Sequence, residues 1–135
     1  PGRQFASVHV EVPQDSDFVK CHEQADLCER LINEKYNIQL VIHMDPIDTN
    51  SPAVKTAREA MTAELKKIDE NMSLHDFRMT PLSDKRTNLI FDAVIPPEYE
   101  NRKEELRQRI SDAAKSIDKT YFCVITFDID FTGHN

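Results

Sequence analysis

The chain has 135 residues, 39% of them hydrophobic, which is enough to bury the core of one ordinary domain or of two small ones. Two glycines against seven prolines argue against low complexity and disorder and favour a compact fold. A formal charge of −7 at pH 7 argues against nucleic acid and anionic membrane surfaces as partners, and it favours the accumulation of cations near the protein.

The three cysteines are an odd number without CxxC spacing, which indicates a reducing compartment and not a disulfide framework. No signal-peptide pattern is present, and the longest uncharged apolar stretch, residues 121–127, falls far short of the roughly 20 residues that a transmembrane helix needs. The chain is therefore expected to be soluble as it stands.

Residues 5–13 and 38–45 are predicted strands, because each has apolar or small side chains at its even positions. The odd positions carry His9 in the first strand and His43 with Asp45 in the second. Side chains two residues apart on a strand lie on one face, about 6–7 Å from each other. We therefore predict that these three side chains point away from the core.

A helix is predicted between these strands, with Asp15 or Ser16 as its N-cap and Asn37 at its end. Its apolar positions follow the helical period, and the two cysteines among them are predicted to be buried: Phe18, Cys21, Ala25, Cys28 and Ile32. His22 lies beside this stripe. The helix is expected on the apolar face of the strands, so His22 can join His9 and His43 only across a partner surface.

The remaining residues predict a second helix, a hairpin, a third helix and a last strand. Ser51 and Pro52 start the second helix, with an apolar side formed by Val54, Ala57, Met61, Leu65 and Ile68. The hairpin strands are residues 74–80 and 88–96, joined by a turn over residues 81–87. The third helix covers residues 99–117 and buries Leu106, Ile110, Ala113 and Ile117, and the last strand is residues 121–131.

An internal repeat explains the order β-α-β-α-β-β-α-β. The sequence VHVEVP at residues 8–13 aligns with FDAVIP at 91–96, and VIHMD at 41–45 aligns with VITFD at 124–128, both at a shift of 83 residues. The predicted fold is α/β of the α+β, ferredoxin-like kind, with two tandem βαβ-type repeats and helices on one face of each sheet. Residues 1–50 would be the first repeat, truncated at its start, 51–73 a linker helix and 74–135 the second repeat.

Imidazoles and a carboxylate on one face are typical of a site for zinc or a neighbouring transition metal. A single outward histidine on a strand is more often a solvated residue, and a histidine beside an apolar stripe, such as His22, is more often a partly buried one.

In the second repeat the equivalent positions are Asp92, Glu105, Thr126 and Asp128, which favour a solvated acidic face, with a weak hard-cation site as the lesser alternative. No arrangement typical of a catalytic nucleophile is visible, so an enzyme is not expected.

The motifs SVHVEVP (7–13), CHEQAD (21–26) and VIHMDP (41–46) resemble the C-terminal cytoplasmic domain of cation diffusion facilitator transporters, which export zinc and related divalent metals. LHDFR at residues 74–78 resembles the opening strand motif of the same family, as in members with an extended C-terminal region. The histidine that opens this motif is absent from the first repeat, and the second repeat keeps only His75 and Asp128 of the pattern.

The resemblance implies a dimeric metal-binding domain on the cytoplasmic side of a multi-pass membrane protein, regulating metal/proton antiport by a membrane domain. It implies His9, His43 and Asp45 as ligands on the sheet, with His22 contributed across the dimer interface, to Zn²⁺ or to Mn²⁺, Fe²⁺, Co²⁺ or Ni²⁺. The alternative function is a ferredoxin-like module that binds a small organic ligand at a dimer interface. An RNA-binding sheet would need exposed aromatic and basic side chains, which residues 38–45 lack.

Overall fold

In the computed structural model, which describes residues 2–132, the chain forms two compact units, Pro1–Ile47 and Asp48–Asn135. Each unit combines one or more helices with one sheet, so the predicted mixed α and β fold class is confirmed, and the βαβ pattern is roughly that of a ferredoxin-like fold. Within residues 2–132, no helix has the length and apolar character that crossing a bilayer requires.

The first unit consists of β1 (Gln4–Pro13), α1 (Phe18–Tyr36) and β2 (Ile38–Ile47). β1 and β2 are parallel neighbours. The N-cap of α1 is Asp17 and not Asp15 or Ser16, because the Asp17 carboxylate accepts hydrogen bonds from the backbone N–H groups of Val19 and Lys20. Asn37 ends the helix as predicted, in the left-handed conformation with φ of 54°.

The first unit buries none of its side chains completely within the described residues. α1 lies against the even-numbered face of the sheet, where Val10 and Met44 line a cavity together with Cys21 and Cys28. Contrary to the sequence-based expectation, Cys21 is only half-buried and Cys28 is exposed. One helix on a two-stranded sheet has too few layers and neighbours to enclose a core.

The second unit has a substantial core. Its elements are α2 (Pro52–Ile68), β3 (Ser73–Ser83), β4 (Arg86–Ile95), a 3₁₀ segment (Pro97–Arg102), α3 (Lys103–Ile117) and β5 (Tyr121–Ile129). β3 pairs antiparallel with β4, and β4 pairs parallel with β5. α2 packs on β3 and on α3, and α3 packs on β5. Fifteen apolar side chains, from α2, the sheet, α3 and the turn residue Met72, form one buried cluster.

Several details of the second unit differ from the sequence-based predictions. The hairpin strands are longer, so that the turn shrinks to Asp84 and Lys85, and the third helix becomes α-helical only at Lys103. Ala114 is buried where Ala113 was predicted, and Ile117 is 39% exposed. The helix at residues 51–73, assigned as a linker from the sequence, contributes four fully buried side chains to the core: Val54, Ala57, Met61 and Leu65.

The predicted internal repeat is visible in the register of the strands. His9 is the Cα partner of His43 in the first unit, and Asp92 is the partner of Thr126 in the second. Both pairs are offset by 34 residues (43 − 9 and 126 − 92), and the two registers are related by the shift of 83. Two strand–helix–strand units therefore share one topology and one register.

Candidate metal centre

The structure brings His9, His43 and Asp45 together on the face of the first sheet opposite to α1. Nδ1 of His9 lies 3.0 Å from Oδ2 of Asp45, within hydrogen-bonding distance. The rings of His9 and His43 are stacked, with centroids 5.0 Å apart and planes inclined by 23°. The prediction that the two histidines point to the same side of the sheet is therefore confirmed.

The parallel pairing of β1 and β2 produces this arrangement. Because His9 and His43 are register partners, their side chains project side by side from neighbouring strands. Asp45 lies one pleat further along β2 and reaches diagonally to His9. The apolar side chains at even positions of both strands face α1. Because side chains alternate along a strand, His9, His43 and Asp45 at odd positions lie on the face that α1 does not cover.

The cluster is open to solvent: the side chains of His9 and Asp45 are 69% and 43% exposed. Such exposure leaves the imidazole nitrogens and carboxylate oxygens accessible to an ion. Among residues 2–132, however, no three His, Cys, Asp or Glu side chains stand close enough to form a metal-binding group within one chain. The arrangement can therefore supply a partial ligand set, of the nitrogen and oxygen kind that zinc and its neighbours accept.

The structure does not bring His22 to the other three side chains. It lies exposed on α1, with its ring stacked on Phe18 at 6.2 Å between centroids. α1 covers the even-numbered face of the sheet, whereas His9 is on the odd-numbered face. His22 and the His9 cluster are therefore on opposite sides of the first unit.

Glu11 is a neighbour that the sequence-based ligand set left out. It is the register partner of Asp45 and lies two residues from His9 on the same strand, so it shares their face of the sheet. The signal for it was the parity of the first strand, in which Ser7, His9 and Glu11 alternate with apolar residues. Glu11 is thus a fourth potential ligand, and a second carboxylate, on the same surface.

The equivalent place in the second unit is acidic. There Asp92 shares a hydrogen bond with Asp76. The pKa of Asp92 is raised, mainly by burial and to a smaller extent by the nearby charges of Asp128 and Asp76. Asp76 has a φ of 54° at an irregularity in the β3–β4 ladder. Sequence reasoning missed Asp76, because a bulge that redirects one side chain has no pattern in the local alternation.

Two cavities lie between α1 and the sheet of the first unit. One, of about 280 Å³, is lined by Val12, Phe18 and Met44, and the other, of about 190 Å³, by Val10 and Cys28 with other apolar side chains. Sites for small organic ligands usually measure about 300–1,000 Å³. Both cavities are smaller than that range.

Comparison with known families gives a match to the first unit. Residues 1–47 match the model of the cation efflux protein, cytoplasmic domain, which coincides with the unit Pro1–Ile47 that the structure separates from the rest of the chain. Searches of curated proteins and of solved structures gave no significant match. Residues 1–47, about a third of the chain, are therefore similar to the cytoplasmic domain of cation efflux proteins.

Proposed function

We propose that this chain is a regulatory metal-binding and dimerisation region of a divalent-cation efflux transporter, whose membrane domain exchanges the metal for protons. The observation that carries this proposal is the cluster of His9, His43 and Asp45 on the uncovered face of a unit that matches the cation efflux cytoplasmic domain. The charge of −7 supports it, since it favours a high local concentration of cations.

A bound cation would be held by imidazole nitrogens of His9 and His43 and by a carboxylate oxygen of Asp45. The ion would replace the hydrogen bond between His9 and Asp45, because the same nitrogen and carboxylate would then face the metal. Mixed nitrogen and oxygen ligands favour Zn²⁺, with Mn²⁺, Fe²⁺, Co²⁺ and Ni²⁺ as further candidates.

The ligand set would be completed by a second copy of the chain. His22 is on the opposite side of its own sheet, so it would have to come from another molecule to reach this cluster. A metal held only by the assembled form stabilises assembly by mass action, by about 2.7 kcal/mol at a hundredfold excess over the dissociation constant. Cytosolic metal would in this way favour the dimeric, transport-competent state.

Calorimetric titration with Zn²⁺ at pH 7.5 tests the proposal. His43→Ala and Asp45→Ala should each remove most of the tight binding, because each deletes one ligand. Asp128→Ala is the matched control, since Asp128 occupies the position of Asp45 in the second repeat. If Asp128→Ala weakens zinc binding more than Asp45→Ala does, the cluster on the first sheet is not the site.

The alternative is a module that binds a small organic ligand. The apolar cavities under α1 favour it, but their volumes of about 190 and 280 Å³ are small for such ligands. Calorimetric titration distinguishes the two functions. Zinc binding that depends on His43 supports the metal site. If Zn²⁺, Mn²⁺, Fe²⁺, Co²⁺ and Ni²⁺ all give no heat of binding, the small-ligand module is the better hypothesis.

A further inference from the structure

The last strand of each repeat, β2 or β5, has an unpaired edge, which we call its outer edge. Within residues 2–132, β5 is hydrogen-bonded to β4 and to no other strand, and β2 to β1 and to no other strand. Another strand can add to the N–H and C=O groups of such an edge. The tendency is strongest for β5, because residues 121–127 are β-forming side chains without a charge, a proline or a glycine.

The backbone hydrogen bonds of β5 show which of its residues face the outer edge. The C=O group of Thr120 accepts a hydrogen bond from Thr87, and the N–H group of Asp130 donates one to Ile95 in β4. Successive residues of a strand direct their backbone groups to opposite sides. The even-numbered residues of β5 therefore face β4, and the odd-numbered residues face the outer edge.

Two basic side chains of α3 bind backbone groups on the outer edge of β5. Nη1 of Arg107 donates a hydrogen bond to the C=O group of Ile125 at 3.0 Å, and Nζ of Lys115 donates one to that of Tyr121 at 3.5 Å. The two basic residues are eight positions apart, about 12 Å along a helix, and the two acceptors are four positions apart, about 13 Å along a strand. The spacing of α3 thus matches that of β5.

Aromatic rings of β5 hold both basic side chains in place. The guanidinium carbon of Arg107 lies 4.9 Å from the centroid of the Phe127 ring, and Nζ of Lys115 lies 3.5 Å from that of Phe122. These cation–π contacts restrict two long side chains that would otherwise sample many rotamers. A strand that adds to β5 would have to displace the hydrogen bonds and the ring contacts together.

The first unit covers the outer edge of β2 with different chemistry. The C=O group of Ile47 accepts a hydrogen bond from Gln14, so the odd-numbered residues of β2 face β1 and the even-numbered residues face the outer edge. There Oε1 of Glu29 accepts a hydrogen bond from the N–H group of Ile42 at 3.1 Å. Pro46 also faces this edge and has no N–H group to offer to a further strand.

We propose that Arg107 and Lys115 on α3, and Glu29 on α1, block the addition of further strands to the outer edges. Ile42 and Ile125 are equivalent under the shift of 83, so both repeats are blocked at the same position. Each blocking side chain takes the place of a strand partner and brings a charge that an incoming strand would bury. Edge-to-edge pairing that does not close grows into fibres, and these contacts prevent it. The inference goes beyond the proposed function and requires neither the metal site nor a dimer.

Thioflavin T fluorescence of the full chain in EDTA tests the block on β5. The double variant Arg107→Met with Lys115→Met keeps apolar side chains of moderate length but removes both donors, so strand-paired assemblies should form about tenfold faster or more. Arg107→Lys with Lys115→Arg retains both donors and should assemble as slowly as the wild type. Lys103→Met with Arg109→Met is the matched control, since it removes the same charge from the same helix at two residues that, within residues 2–132, donate no hydrogen bond to β5.

Loss of stability can also accelerate assembly, and Leu65→Ala measures that contribution. Leu65 is fully buried on α2, which packs on β3 and α3. The variants are compared at temperatures where circular dichroism gives each the same unfolded fraction. The proposal is overturned if the methionine double variant then assembles no faster than Leu65→Ala, or no faster than the matched control.

Hydrogen exchange at the Ile42 amide tests the block on β2 without relying on assembly. Glu29→Leu should accelerate this exchange by about tenfold, because the N–H group loses a charged acceptor. Glu29→Gln retains a side-chain oxygen and should preserve most of the protection, and Glu34→Leu is the control at an exposed position of the same helix. Unchanged exchange of Ile42 in Glu29→Leu would refute the role of Glu29.

Discussion

Truncation of Leu65 measures whether α2 is a core element or a linker. Leu65 is fully buried, and Leu65→Ala removes three carbon atoms from the core. At about 0.8 kcal/mol per buried methylene the lost transfer free energy is about 2.4 kcal/mol, and the remaining cavity raises the expected loss of unfolding free energy to about 3–4 kcal/mol. Leu82 in β3 is 56% exposed, so Leu82→Ala should cost only about 1 kcal/mol, without a cavity.

Urea denaturation followed by circular dichroism gives both values, with the slope of the transition as a check that the unfolded states are comparable. A shift of the midpoint for Leu65→Ala that is no larger than the shift for Leu82→Ala would refute the reasoning. It would mean that α2 does not contribute to the core and that residues 51–73 form a linker after all.

Three further outcomes are expected. Zinc should shift sedimentation towards larger assemblies at pH 7.5 and not at pH 5.5, because protons compete for imidazoles, whose ordinary pKa is roughly 6.5; equal distributions with and without zinc at pH 7.5 would exclude metal-linked assembly. Burial raises the pKa of Asp92, so the folded state binds its proton more tightly than the unfolded state, and stability falls as pH rises from the ordinary carboxyl pKa through the raised one. Asp92→Asn, which can still donate a hydrogen bond to Asp76, should therefore raise the melting temperature at pH 7 and have little effect near pH 3; an equal effect at both pH values would point to a cause other than ionisation. Asn37 has a φ of 54°, so Asn37→Ala should lower the free energy of unfolding by about 1 kcal/mol in urea denaturation while Asn37→Gly should not, and equal losses for both would show that the backbone conformation is not the reason.

Local chemistry made the strands, the helices and the candidate site readable from the sequence. The alternation around His9 and around His43 is a property of neighbouring residues, and it is sufficient to place both side chains on one face of a parallel pair. Ser51 and Pro52 mark the start of α2 because a hydroxyl cap and a proline without an N–H suit the first turn. The shift of 83 residues likewise anticipated two strand pairs with one register.

Burial was decided by the tertiary structure. Cys28 and Leu65 both lie on apolar helical stripes, yet Cys28 is exposed and Leu65 is fully buried, because only the second unit has two helices over three strands. The larger number of helices and strands in the second unit also makes α2 a core element, whereas Leu31 in the first unit is exposed. An apolar stripe specifies which side of a helix or strand packs against other elements. The number of elements that cover that side depends on residues distant in the chain.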